Sequence, residues 1–260
     1  MQGSIRVEDL EKSFEDKKRG LIRAVDHVSF SCGPGRIFGL LGPNGAGKTT
    51  TLRILSTVLR PTSGKVMLNG YDVVNDPERV RASIGFLSGA TALYERSTAR
   101  EIIGFFGELF GLDRVQVKDR IDELAALLKM GEFLDQACGK LSAGQRQKVS
   151  IARTIVHDPP VIILDEPTAN LDVLVAREVV LFVASERDRG KTVLLSTHIM
   201  SEVDRLCDDV AIIHEGKLLL SGTKDEVVAR GGGDSVEDIF FQLVPLEGGA
   251  GADAGLGVIS

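Results

Sequence analysis

An α/β fold with a mainly parallel sheet is predicted by three features of the chain. An apolar run at residues 37–41 leads into a glycine-rich loop and then into a segment with helical spacing. Farther on, short runs at 161–165 and 192–196 alternate with helical segments, as buried parallel strands do. Between these parts, residues 97–130 place Ile102, Ile103, Phe106, Leu109 and Phe110, then Ile121, Leu124, Leu127 and Leu128, at three- and four-residue intervals. That stretch predicts an inserted α-helical subdomain, at about 97–157.

The elements follow in order. An alternating stretch at 5–10, a polar loop at 15–20, a second run at 25–31 and the turn Gly33-Pro34-Gly35 predict an N-terminal antiparallel β subdomain. Residues 48–59 have the spacing of a helix, ended by Pro61-Thr62-Ser63-Gly64. After the insert come a helix at 145–156, a buried strand at 161–165, a helix at 173–187 and a strand at 192–196. Glu215-Gly216-Lys217 between two apolar runs predicts a hairpin over 210–221, with short helices near Thr223 and Ser235. One domain is therefore expected over 3–245, followed by a flexible, glycine-rich tail at 246–260.

Composition narrows the function classes. With 260 residues, 43% of them hydrophobic, the chain can bury a large core. Its net charge of −6 provides no basic field for a phosphate backbone, so no nucleic-acid partner is expected. Cys32, Cys138 and Cys207 are scattered without metal-ligand spacing, which suits a reducing cytoplasm. No apolar run is long enough to span a bilayer, so work at a membrane requires a partner.

Gly42-Pro43-Asn44-Gly45-Ala46-Gly47-Lys48-Thr49, with Thr50 next, matches G-x-x-x-x-G-K-[ST] between a strand and a helix, the context of a P-loop. Successive backbone N–H groups and the helix N-terminus form an anion cradle, Lys48 reaches the β/γ oxygens of a nucleotide, and Thr49 offers an Mg²⁺ ligand. The run 161–164 ends in Asp165-Glu166, which places two acids at the carboxyl end of a strand, where α/β sheets bind ligands. Asp165 is expected in the metal shell and Glu166 at the attacking water.

With Leu141-Ser142-Ala143-Gly144-Gln145 added, the chain resembles the ATP-binding-cassette ATPases, the nucleotide-binding subunits of ABC transporters. The resemblance runs from Ile5 to Val244 and keeps the family's motif order: P-loop, signature, acidic strand, Ala169-Asn170-Leu171-Asp172, then His198. It implies ATP and Mg²⁺ as ligands, and a second ABC ATPase subunit, as a homodimer, whose P-loop nucleotide is contacted by Ser142, Gly144 and Gln145. It further implies a separate membrane permease that would hold the chain on the inner face of the cell membrane. His198 would be the switch residue reaching the γ-phosphate at the sheet edge, the loop ending in Asp172 would link the two sites, and Phe14 would stack on adenine. Read alone, Ser-x-x-Gln and Asp172 are also helix caps, His198 is also a structural histidine, and Phe14 is also a core residue.

The chain departs from the family at Gly89, where most relatives carry a glutamine touching the metal and the membrane partner. Ser88 or Thr91 offers a hydroxyl instead, and weaker or differently gated hydrolysis is expected. Ala143 replaces a common glycine and is expected to fit unless φ is positive there. The stretch 84–89, with Leu93-Tyr94-Glu95-Arg96 and the loop 16–20, resembles NatA-like sodium-export subunits. The expected function is thus an exporter's ATPase subunit with sodium as cargo. A non-transport ABC ATPase and a regulatory module with little turnover stay open as alternatives.

Overall fold

The computed structural model describes residues 3–18, 20–89 and 92–244. Thr91 and the expected tail at 246–260 lie outside them.

Two sheets organise the chain. In the first, β1 (Ile5–Asp16), β2 (Gly20–Cys32), β4 (Ser63–Leu68) and β5 (Tyr71–Asp72) lie antiparallel in the order β2-β1-β4-β5. The second has the order β10-β9-β3-β8-β7-β6, formed by β3 (Ile37–Leu41), β6 (Ile84–Leu87), β7 (Val161–Asp165), β8 (Thr192–Thr197), β9 (Asp209–His214) and β10 (Lys217–Thr223). All its neighbours run parallel except β9 and β10, which form the expected hairpin around Glu215-Gly216.

Strand alternation divides the interior into two cores. Phe38, Leu40, Ile163 and Leu194 face the antiparallel sheet and the helices α1 (Lys48–Leu55) and α2 (Pro77–Ala82). Ile37, Leu41, Ile162, Leu164, Val193 and Leu195 face the other way. They pack with α3 (Ala99–Leu109), α4 (Arg114–Leu127), α5 (Ala143–Ile155), α6 (Val173–Asp188) and α7 (Met200–Leu206), and with α8 (Lys224–Gly231) and α9 (Val236–Leu243) near the described C-terminal end. Capping boxes at Thr98 and Asp113 start α3 and α4, and Arg120 on α4 donates to the terminal carbonyls of Ile155 and Val156 at 3.1 and 3.0 Å.

Several boundaries differ from the sequence expectation. The loop expected at 15–20 is mostly strand, because Phe14, Glu15 and Asp16 pair with Ile22, Leu21 and Gly20. The helix expected over 48–59 stops at Leu55, and Thr57 two residues later has φ 62, outside helical space. Ser63 and Gly64, expected to terminate an element, instead open β4. The helix expected from Gln145 begins at Ala143, and Ala143 has no positive φ, so its methyl group fits.

Candidate nucleotide site

The order of strands in the sheet brings the site together at the carboxyl ends of three neighbours, β3, β8 and β7. β3 delivers the P-loop, β7 delivers Asp165 and Glu166, and β8 lies between them. β8 is an interior strand, so His198 follows its carboxyl end in the middle of the sheet and not at the sheet edge expected for it.

The P-loop closes tightly. Gly47 has φ 103, and a Cβ there would stand 2.4 Å from the carbonyl oxygen of Ala24 on β2, so only glycine fits. No side chain caps α1, which leaves its first amides directed at the loop, where an anion is favoured. Ala24, Asn44, Gly45, Ala46, Gly47, Lys48, Thr49, Thr50 and Glu166 line one cavity of about 140 Å³. Lys48 is buried; its ammonium donates to the carbonyls of Gly42 and Pro43 at 2.7 and 3.0 Å and lies 3.7 Å from Glu166 Oε1. Burial pushes the Lys48 pKa below its ordinary value, while Glu166 and Asp165 oppose that shift.

The acids are held from behind. Thr49 Oγ1 donates to Asp165 Oδ1 at 3.2 Å, and Ser196 Oγ donates to the same oxygen at 2.7 Å. The Glu166 amide donates to Ser196 Oγ at 3.0 Å, and Glu166 takes φ 49, a conformation rare outside glycine that turns its carboxylate back toward Lys48. His198 Nδ1 lies 3.4 Å from Glu166 Oε1. Thr49 Oγ1 and Asp165 Oδ1, 3.2 Å apart, form the hard oxygen pair that suits Mg²⁺.

The signature lies elsewhere on the surface, starting α5. Ser142 Oγ accepts from the Gln145 amide at 3.2 Å, and Gln145 Oε1 accepts from the Ser142 amide at 2.9 Å, a complete capping box. Gly144 is buried where a Cβ would meet Val175 Cγ2 at 2.9 Å, so a larger residue there would have to push the Val175 side chain aside. Asp172 caps α6 through the amides of Leu174 and Val175. Phe14 is exposed on β1 under the Lys12 ammonium, 5.0 Å from the ring centroid, and is not among the residues lining the P-loop cavity. Gly89 lies beside Asp165, whose carbonyl oxygen is 3.7 Å from a Cβ built there.

Sequence reasoning missed Ser196 and Ala24. Both signals depend on tertiary contact: Ser196 reads as a strand residue, and nothing local marks Ala24 as the wall of the P-loop.

A match to the family described as ABC transporter covers residues 25–169. The chain belongs to the ABC transporter family. It is 39% identical over 238 residues to the ABC transporter ATP-binding protein NatA of Bacillus subtilis, spanning 91% of this chain and 96% of that one. It is 37% identical to the daunorubicin resistance ATP-binding protein DrrA3 of Streptomyces coeruleorubidus, over 94% of this chain and 79% of the relative. A solved ATP-binding subunit of an ABC transporter superposes with a TM-score of 0.83 at 28% identity, covering 92% of this chain and 98% of that one. The chain is thus an ATP-binding, ATP-hydrolysing subunit of the ABC type. Among the described residues no helix is long and apolar enough to cross a membrane.

Proposed function

We propose that two copies of this chain close face to face over two ATP molecules and that hydrolysis reopens them, driving export through a separate membrane permease. The observation that carries the reading is the chain of contacts Thr49–Asp165–Ser196–Glu166, with Lys48 and His198 both against the Glu166 carboxylate. Lys48 and the P-loop amides hold the phosphates. Thr49 and Asp165 would hold Mg²⁺, which when bound screens phosphate charge. Glu166 orients the attacking water and accepts its proton, and His198 contacts the γ-phosphate from the far side. Ser142, Gly144 and Gln145 meet the nucleotide held by the facing subunit, and Phe14 stacks on its own subunit's adenine.

One ATPase domain over 3–245 with its helical subdomain at 97–157 fits this reading. Phe105 and Leu109 on α3, Phe110 just after it and Val115 on α4 are exposed apolar side chains that suit a permease contact. Export is supported by relatives named for daunorubicin resistance and Nod factor export, and sodium as cargo by the resemblance of residues 84–89, 93–96 and 16–20 to NatA-like subunits. That placement puts the chain on the cytoplasmic face of the membrane.

The test is Glu166→Gln. ATP binding persists, phosphate release stops, and ATP traps a stable dimer measurable by sedimentation; a variant that still hydrolyses at the normal rate removes Glu166 from the water site. Co-purification from native membranes identifies the permease, and recovery of soluble partners alone defeats the transport reading.

A further inference from the structure

One buried charge beside the signature lies outside the P-loop cavity. Lys148 lies on α5 one turn beyond Gly144 and is only 7% exposed. Its ammonium reaches Glu178 Oε2 on α6 at 2.5 Å. The other oxygen of that carboxylate accepts from Lys129, just after α4, at 3.0 Å. Hydrogen bonds from Lys148 and then Lys129 hold the Glu178 carboxyl below the usual carboxylate range.

The spacing aligns these contacts. Gly144 and Lys148 are four residues apart and share one face of α5, while Val175 and Glu178 are three apart and share one face of α6. Gly144 packs on Val175 and Lys148 pairs with Glu178, so the helices are joined at two successive turns. Asp172 caps α6 one turn earlier, and Gln147 Nε2 donates to the Pro167 carbonyl at 2.6 Å, just beyond Glu166. Lys129 is an exposed partner and contributes little, whereas a buried ammonium separated from its carboxylate is strongly disfavoured. The Lys148 half therefore resists any rotation of α5 away from α6.

We propose that Glu178 is a positioning residue for ATP hydrolysis, clamping α5 to α6 so that the signature turn and the Asp172 loop meet the facing subunit as one rigid unit. The proposal rests on the facing-dimer reading above. Glu178 touches no nucleotide in this scheme. It acts on the site across the interface and leaves its own P-loop alone.

The experiment uses the full chain with Mg-ATP, in the Glu166→Gln background for sedimentation and in the unaltered background for turnover. Glu178→Ala should weaken ATP-driven dimerisation and lower kcat about ten-fold, while monomer affinity for a fluorescent ATP analogue stays within about two-fold. The charge swap Lys148→Glu with Glu178→Lys should restore both. A folded Glu178→Ala that dimerises and turns over normally overturns the proposal, and so does one whose ATP affinity falls as far as its dimerisation. If Glu178→Ala does not fold, the swap decides: normal dimerisation supports the clamp, and a folded swap that dimerises poorly refutes it. If Glu166→Gln alone fails to dimerise with ATP, the facing-dimer reading itself fails, and the clamp's role goes with it.

Discussion

Ser196 Oγ lies 2.7 Å from Asp165 Oδ1 and at the same time accepts the Glu166 amide at 3.0 Å, so one hydroxyl fixes both acids of the site. It can do so because β8 and β7 are parallel neighbours in a register that sets Asp165 opposite Ser196. Ser196→Ala should leave ATP binding in EDTA unchanged and raise the Mg²⁺ concentration needed for half-maximal hydrolysis. Loss of the buried hydroxyl is also expected to lower stability by about 1–3 kcal/mol, read by urea denaturation. An unchanged Mg²⁺ titration would show that Thr49 alone orients Asp165.

The contact between the antiparallel sheet and the P-loop gives a second test. Gly47→Ala must accommodate a methyl group 2.4 Å from Ala24 O at φ 103, and both demands are unfavourable. Destabilisation of about 1–3 kcal/mol and loss of ATP binding are expected, measured by thermal melting and by nucleotide titration. Retained affinity would mean that the loop relaxes without losing its cradle.

What could be read from the sequence was contiguous. The P-loop and the acidic strand carry their chemistry within a few residues, and β7 is found at the expected 161–165 because a fully buried strand is an unbroken apolar run. The signature's capping box was equally local. Residues 63–82 were not resolved into β4, β5 and α2, since a two-residue strand such as Tyr71–Asp72 and a six-residue helix are too short to show a period. α7, of seven residues, was missed for the same reason. Ser196, Ala24 and the Lys148–Glu178 pair depend on which strands and helices become neighbours, and no local pattern encodes that.

Gly89 stands where the family resemblance places a glutamine. Among the described residues a Cβ at this position meets Asp165 O alone, at 3.7 Å, an ordinary contact, so a glutamine has room to begin there without displacing the backbone. Gly89→Gln should therefore raise Mg-dependent kcat by supplying the amide that glycine lacks, with ATP affinity unchanged. The assay is phosphate release with and without the membrane subunit. Identical turnover in both settings would show that the loop works without a direct metal contact.

His157 predicts an acid sensitivity outside the nucleotide site. Its ring stacks on Phe110 with centroids 3.6 Å apart, and Nε2 lies 3.0 Å from the Ile84 carbonyl, to which it donates as the neutral tautomer. Nδ1 is buried without a hydrogen-bond partner. Burial lowers the pKa from 6.5 to about 4; Lys191 and Arg120 add to the shift, and the Ile84 hydrogen bond and Asp158 oppose it. Because the folded pKa lies below the unfolded one, the unfolded chain binds the proton first as pH falls. This group is therefore neutral in its effect above about pH 6.5 and removes stability progressively down to about pH 4, by about 3 kcal/mol in total. His157→Gln keeps a donor for Ile84 and removes the titration. It also loses the stack on Phe110, so the diagnostic is the slope of unfolding free energy against pH, not its value at neutrality. Denaturant unfolding between pH 7 and pH 4 should show a shallower acid loss in the variant, and equal slopes would mean that His157 is protonated in the folded protein as readily as in the unfolded chain.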